Sequence, residues 1–562
     1  MRSSVTLLIA GVLASNVGAA LGAAAQQGGA ADPPAAQTDR GVVVGKRVGT
    51  VDEFLGIPYA APPVGDLRFR PPQPHAPWPA PRQATDYGSI CPQRAAEEGV
   101  TTMGHEDCLF LNVFTPNGRL EQRPVMVWIH GGGYNAGAGS EALYEPSAIV
   151  RAAGVVVVTL NYRLGILGFL AHPTLSAEDG RGISGNYGIE DQQAALAWTR
   201  RNIAAFGGDP SRVTVFGESA GGNSVLINLA SPTASGLFQG AIAESPLFGV
   251  ALLPLRVAAP LWGGSVSAAL GCPPDDPGAA ACLRSAPADE LVTLSQNTRE
   301  RPLGFVAPVI DGVVLKQPLR EAFRAGAFNR MPVVIGSNHD EATLLTAVLY
   351  NLTQGPVTVE QYPQLLAERF GAHNGELVAS AYPLARYPTP SQALAAAYTD
   401  AFFACPIERV RAALAFHVLT YGYEFTEPDP VATQGYPPTA LGIEMLDSHT
   451  FELPYVFGHN GTEPLPDERA RTLSETMVRY WTNFAKQGDP NGAGDRRGTM
   501  ITGEGGQGSA LPGLPSWPIY GADRPAVLSL MDDIQVGADF GSEHQCRFWD
   551  DVDPDGLYQP AQ

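Results

Sequence analysis

The run Val213-Thr214-Val215-Phe216 passes without a break into Gly217-Glu218-Ser219-Ala220-Gly221. A β-rich apolar run that turns at once on small residues leaves few folds open. A Ser at such a turn sits on a strained backbone, and small neighbours let its hydroxyl project above the C-terminal edge of a sheet. The same punctuation recurs along the chain. Residues 125–129 run into His130-Gly131-Gly132-Gly133, residues 155–160 end at Asn161-Tyr162-Arg163, and further strands are expected at 333–336 and 421–425. Between them, Ala194, Ala195, Trp198, Ile203 and Phe206 recur near helical spacing over 191–206, and Gly207-Gly208-Asp209-Pro210 stops that helix. A late amphipathic helix is expected over 468–486, ended by Gly488-Asp489-Pro490. This alternation predicts an α/β fold with a large, mostly parallel central sheet flanked by helices. No repeat period emerges, and the Gly- and Ser-rich stretch 499–515 reads as a surface insertion. Residues 40–562 are therefore expected to form a single decorated domain.

Composition removes other classes. With 44% hydrophobic and 16% charged residues among 562, the chain can bury a large core. A net charge of -20 and a pI near 4.9 repel nucleic acid and anionic membranes. The N-terminus carries Arg2, an apolar run over 5–13 and small residues up to Ala25, which is the pattern of an export signal over 1–25. Residues 26–39, rich in Ala, Gly, Pro and Gln, are expected to be a flexible leader. The apolar run is too short to span a bilayer and no later run of about 20 apolar residues follows, so no membrane span is expected. Export places Cys91, Cys108, Cys272, Cys282, Cys405 and Cys546 in an oxidising compartment, where an even number fits disulfides. Spacing alone does not choose the pairing. No CxxC pair or clustered His accompanies them, so neither a metal nor a cofactor is expected.

The chemistry read from the residues is nucleophilic. Attack by Ser219 on an ester carbonyl would place negative charge on oxygen, which needs preorganised N–H donors. The Gly131-Gly132-Gly133 loop, with the amide of Ala220 next to Ser219, is placed to supply them. His130 reads as a structural residue of that loop. The nucleophile needs a base, and the base an acid to orient it. Order alone admits His339, His373, His417, His449, His459 and His544 as base, and Asp340 and Glu341 as acid.

Taken together these segments resemble the type-B carboxylesterase family, which includes the cholinesterases and the bacterial para-nitrobenzyl esterases. The likeness runs nearly the whole mature chain. It begins at Gly56-Ile57-Pro58-Tyr59-Ala60, Pro62-Pro63-Val64-Gly65 and Arg68-Phe69, and continues through Glu106-Asp107-Cys108-Leu109 and Leu111-Asn112-Val113. Gly185-Asn186-Tyr187-Gly188 with Asp191-Gln192, Phe206 to Pro210, and Phe216 to Gly222 follow in the family's order. The resemblance implies an α/β-hydrolase fold and resolves the triad. Glu341 of Asn338-His339-Asp340-Glu341-Ala342 is the implied acid. His449, three residues before Glu452 and nine before Gly458, is the implied base, although Thr450 replaces a common small residue. It also implies disulfides joining Cys91 with Cys108, Cys272 with Cys282, and Cys405 with Cys546.

The implied mechanism is a Ser219-Glu341-His449 triad working through an acyl-enzyme, with Gly132, Gly133 and Ala220 amides as the oxyanion hole. Glu218 beside the nucleophile would favour protonated His449 or line the pocket. Ser245 resembles a family Ser near the triad, though Pro246-Leu247 departs from the small residues expected there. The segment between Cys91 and Cys108 contains no Trp to hold a quaternary ammonium, which disfavours choline esters. An amide or carbamate hydrolase would use the same residues, and a non-catalytic adhesion protein of the neuroligin type would share the scaffold. Intact Ser219, Glu341 and His449 argue against the latter. Family relatives act on xenobiotic or mycotoxin esters such as fumonisins, and nothing in the chain selects among them. Three lysines beside abundant Ala, Gly, Pro and Arg fit a GC-rich bacterial source.

Overall fold

In the computed structural model the described residues are 32–94, 102–118, 122–246, 252–273, 276–295, 306–433, 442–492, 514–521 and 523–553. The expected export signal, residues 26–31 of the leader, Leu247 and most of the 499–515 insertion lie outside them. Residues from Pro34 onward group into one compact unit.

Its centre is an 11-stranded sheet. In chain order the strands are β1 (Lys46–Val48), β2 (Val51–Pro58), β3 (Phe110–Pro116), β4 (Arg123–Ile129), β5 (Val156–Leu160) and β6 (Gly208–Glu218). They continue with β7 (Gly240–Glu244), β8 (Val333–Asn338), β9 (Thr420–Phe425), β10 (Val527–Leu530) and β11 (Gln535–Gly537). Across the sheet they run β11-β10-β9-β8-β7-β6-β4-β5-β3-β2-β1. From β5 to β10 all pairings are parallel, and both margins are antiparallel.

The apolar runs are nearly continuous because both faces of the sheet are covered. In β4, Val125, Val127 and Ile129 enter one core while Met126 and Trp128 enter the other. The two-residue period of a strand thus divides one run between two layers. Helices α1 (Tyr187–Asn202) and α2 (Ala220–Ala230) pack with the first core, and α3 (Glu468–Gln487) with the second.

Two boundaries differ from expectation. Helix α1 begins at Tyr187 rather than near 191, and after Asn202 the chain tightens into a 3-10 turn over Ile203–Phe206 that Gly207 ends at φ 85°. The expected leader also stops short of Asp39, because Ala35–Thr38 pairs antiparallel with Gly41–Val44. Ala36 and Thr38 are buried in that pairing, which a polar, Pro-rich composition does not announce. The cysteines pair Cys91 with Cys108, Cys272 with Cys282, and Cys405 with Cys546. Among the described residues no helix is long and apolar enough to cross a membrane.

Candidate active site

Ser219 stands between the end of β6 and the start of α2 with φ 58° and ψ -122°, a conformation that L-residues avoid. Its surroundings hold it there. The Ser219 N–H donates to the Glu244 carbonyl at 2.9 Å, and the Ser219 carbonyl accepts from Asn223 N–H at 2.8 Å. A methyl group at Gly221 would collide with the backbone carbonyls of Ile129 and His130, so a glycine there lets β4 approach the turn. A methyl at Gly131 would lie 2.8 Å from Glu218 Oε2 and 3.1 Å from Ser219 Cβ. The glycine loop after β4 therefore backs directly onto the serine turn. Gly132 and Gly133 continue it at φ 96° and 60°.

His130 has the structural role expected of it. It is fully buried, stacks on Tyr162 with ring centroids 4.4 Å apart, and its Nδ1 donates to the Gly131 carbonyl at 2.8 Å. Tyr162 donates its hydroxyl to the His130 carbonyl at 2.9 Å. Burial pulls the imidazole down to about 4, so the ring is neutral at ordinary pH.

Glu341 and His449 meet across the fold. Glu341 follows β8, and its Oε1 accepts from the Asn338 N–H at 2.8 Å. Its Oε2 lies 2.5 Å from His449 Nδ1, while the His449 N–H donates to the Glu341 carbonyl at 3.2 Å. The other ring nitrogen, Nε2, is 3.1 Å from Glu218 Oε1, an ion-pair distance without hydrogen-bond alignment. The imidazole thus spans from Glu341 to the residue preceding Ser219, with Phe403 against its ring at 5.2 Å. Burial opposes charge on this ring, but the carboxylates of Glu218 and Glu341 outweigh it and push His449 up to about 10.

Of the other histidines admitted by order, His373 is exposed, His417 contacts the Arg324 carbonyl, and His459 contacts the Glu145 carbonyl. His339 and His544 belong to a separate cluster. Thr450, which stands where a small residue is common, has φ 78°, and that left-handed backbone explains the preference. Ser245 also has a positive φ, 47°; its N–H donates to the Gly336 carbonyl at 2.9 Å, and its buried hydroxyl makes no hydrogen bond with a described residue.

The residues alone did not single out two further acids. Glu244 pairs in register with Glu218 on neighbouring parallel strands, is fully buried, and accepts from Trp481 Nε1 at 2.8 Å. Glu452 is also fully buried and accepts from Asn338 Nδ2 at 2.6 Å. Burial raises Glu218 and the charge of His449 opposes it, so the two titrate as a pair; burial pushes Glu244 up to about 8 and Glu452, aided by the Glu341 charge, up to about 7. The signal for Glu244 was positional: it ends a strand beside the one that leads into Ser219, immediately before Ser245.

Comparison with known proteins agrees with this architecture. Residues 32–549 match the carboxylesterase family. The chain is 38% identical to a fumonisin B1 esterase of Sphingopyxis macrogoltabida over 84% of this chain and 89% of that protein. It is 35% identical to the para-nitrobenzyl esterase of Bacillus subtilis over 91% and 98% of the two chains. Among solved structures, a para-nitrobenzyl esterase superposes with a TM-score of 0.72 at 32% identity, covering 92% of this chain and 99% of that one. A Geobacillus stearothermophilus carboxylesterase gives 0.74 at 31% identity, with the same coverage. A strand-turn-helix serine, a glycine loop packed against it and a family match across nearly the whole chain lead to one conclusion: this chain belongs to the carboxylesterase family, α/β hydrolases that cleave carboxylic ester bonds.

Proposed function

We propose that the chain is an exported serine carboxylesterase whose triad is Ser219, His449 and Glu341. The observation that carries this reading is the imidazole of His449, hydrogen-bonded to Glu341 through Nδ1 and with Nε2 3.1 Å from Glu218, the residue before Ser219. In the proposed cycle the neutral form of His449, which its flanking carboxylates make the minor form below about pH 10, takes the Ser219 proton as Oγ attacks the ester carbonyl, then returns it to the leaving alcohol. Glu341 orients the ring and balances its charge. The amides of Gly132, Gly133 and Ala220 bind the oxyanion of both tetrahedral intermediates, and water releases the acyl group. Ser245 and Glu218 flank this constellation as supporting groups. Export is supported by the N-terminal pattern together with three disulfides.

For substrate, the relative named a fumonisin B1 esterase supports a xenobiotic or mycotoxin ester such as a fumonisin. The test is hydrolysis of para-nitrophenyl esters from acetate to octanoate, of fumonisin B1, and of matched amides, by the full chain and by Ser219→Ala and Glu341→Gln. Ser219→Ala is expected to abolish turnover and to lose the organophosphate mass adduct that the parent acquires. Glu341→Gln is expected to lower kcat by about 10⁴-fold while staying folded. A folded parent that neither turns over nor takes the adduct overturns the reading. Turnover of para-nitrophenyl esters without fumonisin hydrolysis overturns only the substrate.

A further inference from the structure

A second cluster of chemistry-bearing side chains lies apart from the triad. His339 follows β8, Glu424 sits in β9, and His544 follows the short helix Phe540–Glu543, two residues before Cys546. β8 and β9 are parallel neighbours, with Asn338 opposite Phe425, and the His339 N–H donates to the Phe425 carbonyl at 3.0 Å. One ligand-capable atom from each of the three residues lies within 4.8 Å of the others. We propose that His339, Glu424 and His544 form a binding site for a divalent transition cation of the zinc class.

The second layer around these residues has the form that metal-binding histidines use. His544 Nδ1 is 2.6 Å from Asp400 Oδ1, and Asp400 in turn accepts from the Tyr382 hydroxyl at 2.5 Å. A carboxylate behind the ring fixes the tautomer in which Nδ1 carries hydrogen and Nε2 offers a lone pair. That Nε2 faces Glu424 Oε1 at 2.6 Å. With Nδ1–H held by an ionised Asp400, two electron-pair donors at that separation take either a second ring proton or a cation between them. His339 repeats the arrangement, its Nδ1 3.0 Å from Asp340 Oδ2.

The carboxyls around these residues would attract a cation as they attract a ring proton. Asp447 is 7% exposed, its Oδ1 has no hydrogen-bond partner, and its carboxyl interacts with Asp340, Glu424 and His339. Glu543 adds its charge toward Glu424, His339 and His544. Five carboxyls, those of Asp340, Asp400, Glu424, Asp447 and Glu543, therefore surround two imidazoles.

Two nitrogens with one carboxylate suit zinc and its neighbours better than magnesium or calcium, which take oxygen sets. Bonds of about 2.1 Å to a tetrahedral ion separate ligands by about 3.4 Å. Glu424 and His544 would part by under about 1 Å, and the His339 ring would move inward. With its side chain 44% exposed, His339 can make that movement and leaves a path for entry and room for water. The expectation of no metal rested on cysteine spacing, whereas these ligands come from three separate elements. The site touches no reacting atom. Occupation would tie the segment leading to Glu341 to β9 and to the C-terminal chain beside the Cys405–Cys546 bridge.

The experiment titrates chelator-stripped full-length protein with Zn²⁺ by calorimetry, and with Co²⁺ by visible absorption. The expected result is one equivalent bound per chain, Co²⁺ bands of nitrogen-containing coordination, and a higher Tm with the ion. His339→Ala, a partly exposed position, should fold, retain ester hydrolysis and bind more than about tenfold more weakly. His544→Gln should lose the site, while His373→Ala at an exposed histidine leaves it intact. Zn²⁺ affinity unchanged in His339→Ala overturns the proposal. So does the absence of saturable binding by the stripped parent, which would assign His544 as an imidazolium bridging Asp400 and Glu424.

Discussion

His449 has a carboxylate at each ring nitrogen, and the two act differently. Glu341 holds Nδ1 by a 2.5 Å hydrogen bond, whereas Glu218 faces Nε2 at 3.1 Å without alignment and acts chiefly through its charge. Removing the Glu218 charge removes attraction for the protonated ring, so the His449 pKa falls and the neutral base becomes available at lower pH. Glu218→Gln is therefore expected to move the acid limb of the kcat/KM profile to lower pH. Its kcat should change by less than the 10²–10⁴-fold typical of losing a general base, and a profile identical to the parent's would contradict this role for Glu218. The serine turn and glycine loop were legible in the sequence because close backbone approach admits only small residues, a local requirement. His449 was not separable from five other histidines by the residues alone, because its contact with Glu341 spans 108 positions.

At the scale of elements, helix α3 shows how far local signals reach. Asp467 caps it by accepting from the Ala470 N–H at 2.8 Å, and Gly488 ends it at φ 74°, so both boundaries fall where cap and stop residues stand. Asp467→Ala is expected to cost about 1 kcal/mol, read as a lower midpoint in chemical denaturation with an unchanged slope. The helix also delivers Trp481 to Glu244, a contact across 237 positions that no cap or period encodes. The strand Ala35–Thr38 is the converse case. Its composition reads as leader, and its pairing partner and the core beneath it make it a strand.

Over the whole molecule, buried acids govern the response to pH. Burial pushes Glu452 up to about 7, Glu244 to about 8 and Asp447 to about 9. Each binds its proton more tightly in the fold than in the unfolded chain, so the stability it contributes is complete below the ordinary carboxyl range and is lost as pH rises through the raised value. The net charge of -20 acts in the same direction through self-repulsion. Tm at constant ionic strength is expected to fall between about pH 5 and 9; a Tm that rises across that window would contradict the protonation assigned to these three acids. Below about pH 4 the opposing set takes over, because Glu178 and Asp179, held low by Arg284 and Arg181, lose their partners on protonation.

The sequence by itself determined the class of sheet, the serine turn, the glycine loop and the ends of the long helices. These depend on neighbours within a few residues and on the period of apolar positions. The likeness to carboxylesterases pointed to Glu341, His449 and the cysteine pairing that spacing left open. Tertiary structure alone decided which carboxyls gather around His449, that Glu244 lies level with Glu218, and that His339, Glu424 and His544 converge. Those facts depend on strand order and on packing between distant segments. The parallel register that sets Glu244 beside Glu218 lets its charge raise the Glu218 carboxyl further, and nothing local in the chain records that they will meet.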